Sequence, residues 1–137
     1  MRETWKEYLP TGSVAVDDDH RRIAELLSEI LLAVNTNRPR DVATLLGNLL
    51  DSWRSHCEQE ERLMFHSGYP QAERHREAHR LFMDDGARVY REVLRRGLTV
   101  GARRWITGRM LAWFRLHISV SDVGLVRFLE ARRGATG

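Results

Sequence analysis

The chain has a single cysteine, Cys57, so it can form no internal disulfide framework and fits a reducing compartment. No apolar run approaches the length needed to cross a bilayer, and the opening residues, Met1 to Glu7, are charged and lack the apolar centre of a signal peptide. A cytoplasmic location without membrane insertion is therefore expected. Also missing are a glycine-rich phosphate loop, a paired-cysteine zinc pattern, a serine placed as a nucleophile near histidine and acid, any strand signal and any internal repeat. Positive charge is in only slight excess, with a formal net charge of +3. Its arginines are scattered in pairs (Arg21-Arg22, Arg95-Arg96, Arg103-Arg104, Arg132-Arg133) instead of gathered on one face, so no nucleic-acid partner is expected. Two of these pairs precede Gly97 and Gly134, where cations and glycine suit a helix C-terminus.

What remains is helical periodicity. With 42% hydrophobic and 30% charged residues over 137 positions, the chain has the composition of one ordinary domain, residues 1–137. Residues 1–16, with Trp5, Tyr8 and Pro10, show no sustained period and read as an N-terminal arm; a bundle is expected over 17–134. Asp17, Asp18 and Asp19 supply helix-start chemistry in preference to a cation site.

A first helix is predicted over about 18–35, with Ile23, Leu26, Leu27, Ile30, Leu31 and Val34 inward and His20 continuing their stripe. The stretch 35–40, with Pro39, reads as a turn. A second helix over about 41–67 carries Val42, Leu45, Leu46, Leu49, Trp53, Leu63 and Met64 inward, and in that seam sit His56 and Glu60, four residues apart and so on one face. Gly68 and Pro70 stop it, and Pro70 suits the first turn of a third helix reaching Arg96. The third helix places His75 and His79 on the line of Phe82, Gly86, Val89 and Val93. A fourth, from about Val100 to Arg133, has Ile106, Met110, Trp113 and His117 in phase. Asp122 then falls five residues on, about 140° round an ideal helix. A local widening such as one π turn between His117 and Asp122 would bring both inward.

Four helices joined by short connections predict an all-α fold, an antiparallel up-down-up-down four-helix bundle. In that topology the start of the first helix, the end of the second, the start of the third and the end of the fourth share one pole. His20, His56, Glu60, His75, His79, His117 and Asp122 then converge in the core. Histidine seldom fills cores, and a buried carboxylate without a partner costs several kcal/mol. A bound metal accounts for both facts, and seven inward ligands exceed one tetrahedral zinc site. His66, beside the Gly68 turn, is the only histidine off the inward stripes and serves as an internal control.

With these positions in hand, the sequence resembles the hemerythrins, especially the single-domain bacterial members. The likeness rests on the aromatic arm, His20, the His56/Glu60 pair with Glu61, Leu63-Met64, Tyr69-Pro70, the His75/His79 pair, and Trp113 with His117-Ile118 and Asp122. It implies two non-haem iron ions bridged by oxide or hydroxide: one held by His75, His79 and His117, the other by His20 and His56, with Glu60 and Asp122 bridging. It also implies dioxygen bound reversibly as (hydro)peroxide at a single open iron position lined by Trp113, Phe114 and Ile118. The corresponding roles are oxygen carriage, storage or delivery, with a protein recipient in the last case, and no catalytic residue. A di-iron enzyme reducing peroxide, oxygen or nitric oxide, or an oxygen or redox sensor, would use the same ligands. Spacing alone does not separate iron from manganese. Three positions depart from the family pattern: Asp19 where glutamine often precedes the first ligand, Cys57 where phenylalanine often follows the second, and Phe114 where leucine is common.

Overall fold

A computed structural model describes residues 14–136; of the expected arm, residues 1–16, the first thirteen lie outside them. Among the described residues there is no strand, and the chain forms a four-helix bundle. Helix α1 spans Val14–Asn35, α2 Pro39–Ser67 and α3 Ala72–Arg96. Helix α4 covers residues 100–136 as an α-helix broken by two wider π segments, Trp105–Met110 and His117–Asp122.

Three boundaries differ from the sequence expectation, each for a local reason. Helix α1 is already formed at Val14, so the three aspartates lie inside it: Asp18 pairs with Arg21 at 3.2 Å, and Asp19 is turned to another use. Pro39 opens α2 at its first turn instead of belonging to the connection, because a residue without an N–H loses nothing there. Pro70, by contrast, stays in the turn, and the Ala72 amide bonds back to the Tyr69 carbonyl at 3.1 Å.

The connections are short and chemically specified. Asn37 takes a left-handed conformation, φ 53°, to close α1. Arg103 of α4 donates to the Asn37 side chain at 2.7 Å and to the Val34 carbonyl at 3.3 Å, tying the end of α1 to the start of α4. Thr99 caps α4 by accepting from the Ala102 amide at 3.1 Å. Gly68 ends α2 at φ 68° and ψ 36°. A Cβ there would meet nothing closer than Arg132 Nη1 at 3.9 Å, so only backbone strain opposes a side chain. Gly68→Ala should therefore lower the unfolding free energy by about 1 kcal/mol in a urea titration, with the fold intact.

Inside the bundle Ile23, Leu27, Ile30, Val42, Leu46, Leu49, Ile106 and Met110 are wholly buried. Each such side chain contributes roughly 1.5–3 kcal/mol by leaving water. Helices α2 and α3 approach closely at Gly86, where a Cβ would stand only 2.6 Å from Leu50 Cδ2. Leu63 departs from expectation: it is exposed, because Glu60 and Met64, one turn apart, occupy the inward line of α2 there. None of the described helices is long and apolar enough to cross a membrane.

Candidate metal centre

At one pole of the core, His20, His56, Glu60, His75, His79, His117 and Asp122 are all buried, none more than 4% exposed. The bundle's direction reversals put them there: α1 leaves the pole, α2 arrives at it, α3 leaves it and α4 returns. The π segment His117–Asp122 supplies the last two. A wider turn advances less angle per residue, so a ligand five positions after His117 still faces inward. His66 is exposed and outside the cluster.

The donor atoms fall into two groups. In the first, His75 Nε2 lies 3.0 Å from Glu60 Oε1 and 3.2 Å from Asp122 Oδ1. His79 Nε2 lies 3.2 Å from the same Glu60 oxygen and 3.1 Å from His117 Nε2, which is itself 3.1 Å from Asp122 Oδ1. In the second, Asp122 Oδ2 is 2.7 Å from His20 Nε2 and 3.6 Å from His56 Nε2, and Glu60 Oε2 is 3.4 Å from His56 Nε2. Each carboxylate thus turns one oxygen to each group.

Donors bound at about 2.1 Å in octahedral coordination stand roughly 3.0 Å apart when cis, and the spacings of the first group match. His56 Nε2, Glu60 Oε2 and Asp122 Oδ1 are buried and make no hydrogen bond despite these short approaches. Lone pairs that converge without pairing among themselves are arranged for a cation between them. Imidazole with carboxylate is a donor set that iron accepts readily, so the residues fit the metal.

Electrostatics show how the cluster behaves toward protons. Burial opposes charging His56, but the adjacent Asp122 and Glu60 carboxylates outweigh it and raise its pKa to about 11. The same balance lifts His75 to about 9. Burial and the Asp122 charge push Glu60 upward, yet the close imidazoles of His56, His75 and His79 hold it at about 2. Asp122 also stays well below the usual carboxylate range, through His117, His20, His56 and His75, although burial opposes this. Burial pushes His117 down, favouring its neutral form.

Two further carboxylates orient the rings from behind. His56 Nδ1 donates to Asp19 Oδ2 at 3.0 Å, and His79 Nδ1 to Glu61 Oε2 at 3.3 Å, which turns each Nε2 toward the centre. Sequence periodicity missed the Asp19 contact, because it joins residues 37 positions apart on different helices. It also read Trp53 only as stripe filler. Trp53 is wholly buried, with its ring 4.9 Å from His56, 5.8 Å from His79 and 5.6 Å from His117. Of the expected lining residues, Trp113 lies flat against His117 at 4.5 Å and Phe114 packs edge-on to Trp53 at 4.9 Å. Ile118 is buried within the same π segment as His117. Cys57 is buried too, which pushes its thiol pKa up and keeps it inert.

The sequence matches the hemerythrin HHE cation binding domain over residues 11–129. It is 30% identical over 122 residues to the bacteriohemerythrin of Pseudomonas aeruginosa (strain LESB58), covering 89% of this chain and 78% of that protein. The bacteriohemerythrin of Pseudomonas paraeruginosa (strain DSM 24068 / PA7) shows the same identity and coverage. That of Stenotrophomonas maltophilia (strain R551-3) is 32% identical over 79 residues, 58% of this chain and 52% of its own. With a buried histidine and carboxylate cluster fitted to the metal, and a family match across most of its length, the chain belongs to the hemerythrin family and is a non-haem iron-binding protein.

Proposed function

We propose that the chain holds two iron ions and binds dioxygen reversibly at one open position, for oxygen carriage, storage or delivery and not for catalytic turnover. The observation that carries this reading is the unequal split of donors. Five atoms face one side: His75, His79 and His117 Nε2, Glu60 Oε1 and Asp122 Oδ1. Four face the other: His20 and His56 Nε2, Glu60 Oε2 and Asp122 Oδ2. With one oxide or hydroxide shared between two bound ions, the first side would offer six donors and the second one fewer. A ferrous pair would supply two electrons and the Lewis acidity to hold dioxygen.

The protein's own part is to position and to shield. Asp19 and Glu61 fix the tautomer and direction of His56 and His79. Trp113, Phe114 and Ile118, with Trp53, wall the centre with apolar surface that keeps out water and competing anions. Five imidazoles against two carboxylates give less negative charge than a carboxylate-rich site, which disfavours high oxidation states and oxygenation. A saturated first side also denies dioxygen an adjacent pair of positions.

The test is spectroscopic. Protein reduced without oxygen should develop a visible charge-transfer band when oxygen is admitted and lose it on sparging, over repeated cycles. Steady consumption of oxygen or peroxide in the presence of an electron donor, with no reversible band, would instead make the protein an enzyme.

A further inference from the structure

Among the described residues, five buried side-chain polar atoms lack a hydrogen-bond partner, and four of them belong to His20, His56, Glu60 and Asp122. The fifth is Nε1 of Trp53. A buried donor left unpaired costs about 1–3 kcal/mol, and buried tryptophans usually find a partner for their N–H. This one has none, although it is wholly enclosed.

Its surroundings say where a partner could come from. The indole stacks on His56 at 4.9 Å and 29°, and stands edge-on to His79 and His117 at 83° and 80°. It therefore touches rings from both donor groups. Its other ring neighbours are Phe114, Trp113 and Phe82, at 4.9, 5.7 and 6.5 Å, which offer no oxygen acceptor. Cys57, one helical turn on and on the same face, is buried and brings no oxygen acceptor on its side chain.

We propose that Trp53 Nε1–H is a hydrogen-bond donor to a small anionic or electron-rich ligand held at the metal centre, and so tunes its affinity and selectivity. The proposal rests on the reading that one coordination position is open. A single fixed donor in an aromatic, water-poor wall acts with little dielectric screening and needs no reorganisation when the ligand arrives. It favours monoanions such as azide over neutral ligands of the same size.

Azide is the probe. Ferric, iron-loaded wild type titrated with azide should give a charge-transfer band, and Trp53→Phe, with equal iron content and circular dichroism, should bind azide about ten- to a hundredfold more weakly. Trp105→Phe removes another buried indole away from the ligands and should bind azide as wild type does. A readout independent of affinity is the indole N–H mode of Trp53 in ultraviolet resonance Raman, isolated by subtracting the Trp53→Phe spectrum. In the metal-free chain it should report a free or weakly bonded N–H, and it should shift to the hydrogen-bonded position only when iron and azide are both present. Equal azide affinity in wild type and Trp53→Phe, or a mode unchanged by azide because aromatic faces already satisfy the N–H, overturns the proposal and leaves the open position standing. No azide band in iron-loaded wild type overturns both.

Discussion

Asp122→Asn should empty the centre while leaving the bundle standing. Asp122, like Glu60, is shared by both donor groups, and its oxygens lie within 3.6 Å of four imidazoles, those of His20, His56, His75 and His117. Asparagine keeps the shape but loses the charge, and its amide nitrogen presents hydrogens where a lone pair is needed. Both donor groups are then weakened at once, and iron affinity should fall by more than the roughly 10–100-fold that loss of an outer-shell partner produces. Metal analysis after desalting is expected to find iron reduced to a small fraction of the wild-type content, with helix content unchanged. The fold survives because the apolar core of Leu27, Ile30, Leu46, Leu49 and Met110 does not depend on this side chain. Under the same conditions His66→Ala, exposed and away from the cluster, should retain its iron. Full iron occupancy in Asp122→Asn would show that the two groups do not share this carboxylate.

The same residue shows how much can be read from a sequence. Asp122 is out of phase with His117 on an ideal helix, and only the assumption that both face inward demands a π turn, which the structure contains. The second π segment, Trp105–Met110, left no such mark. Trp105 and Ile106 are both apolar and both buried, so a shift in phase there exchanges one acceptable core residue for another. A polar residue forced inward reveals local geometry, whereas an apolar one conceals it. The seven cluster residues were legible because helical spacing and alternating chain direction fix which face and which pole a residue occupies. Asp19 was not, since its link to His56 depends on the rotation of α1 against α2, which neither helix encodes alone. Trp53 was half legible: its burial followed from the stripe, but its contact with three of the histidines did not.

Iron loading of the metal-free protein should release about two protons per chain from histidine at neutral pH, with any that water gives up in forming a shared hydroxide added to these. In the metal-free cluster His56 and His75 have pKa values raised to about 11 and about 9, so both are protonated near pH 7. Glu60, held at about 2, and Asp122, held well below its ordinary value, are ionised and balance those two charges. The protons therefore hold together groups that a metal would otherwise join. A metal ion needs neutral imidazole, so it must displace both protons. The sign follows: a raised pKa makes protons stronger competitors, and affinity rises with pH until the protons are gone. Below about pH 9, with both groups protonated, the association constant should climb by about a hundredfold per pH unit from these two sites; between about 9 and 11 only His56 still carries its proton, and the slope falls to about tenfold. Calorimetric titrations under anaerobic conditions, in buffers of different ionisation enthalpy, give the proton count directly from the slope of observed against buffer enthalpy. A slope near zero at pH 7 would mean that the metal-free imidazoles are already neutral, and that the two carboxylates do not hold protons on His56 and His75.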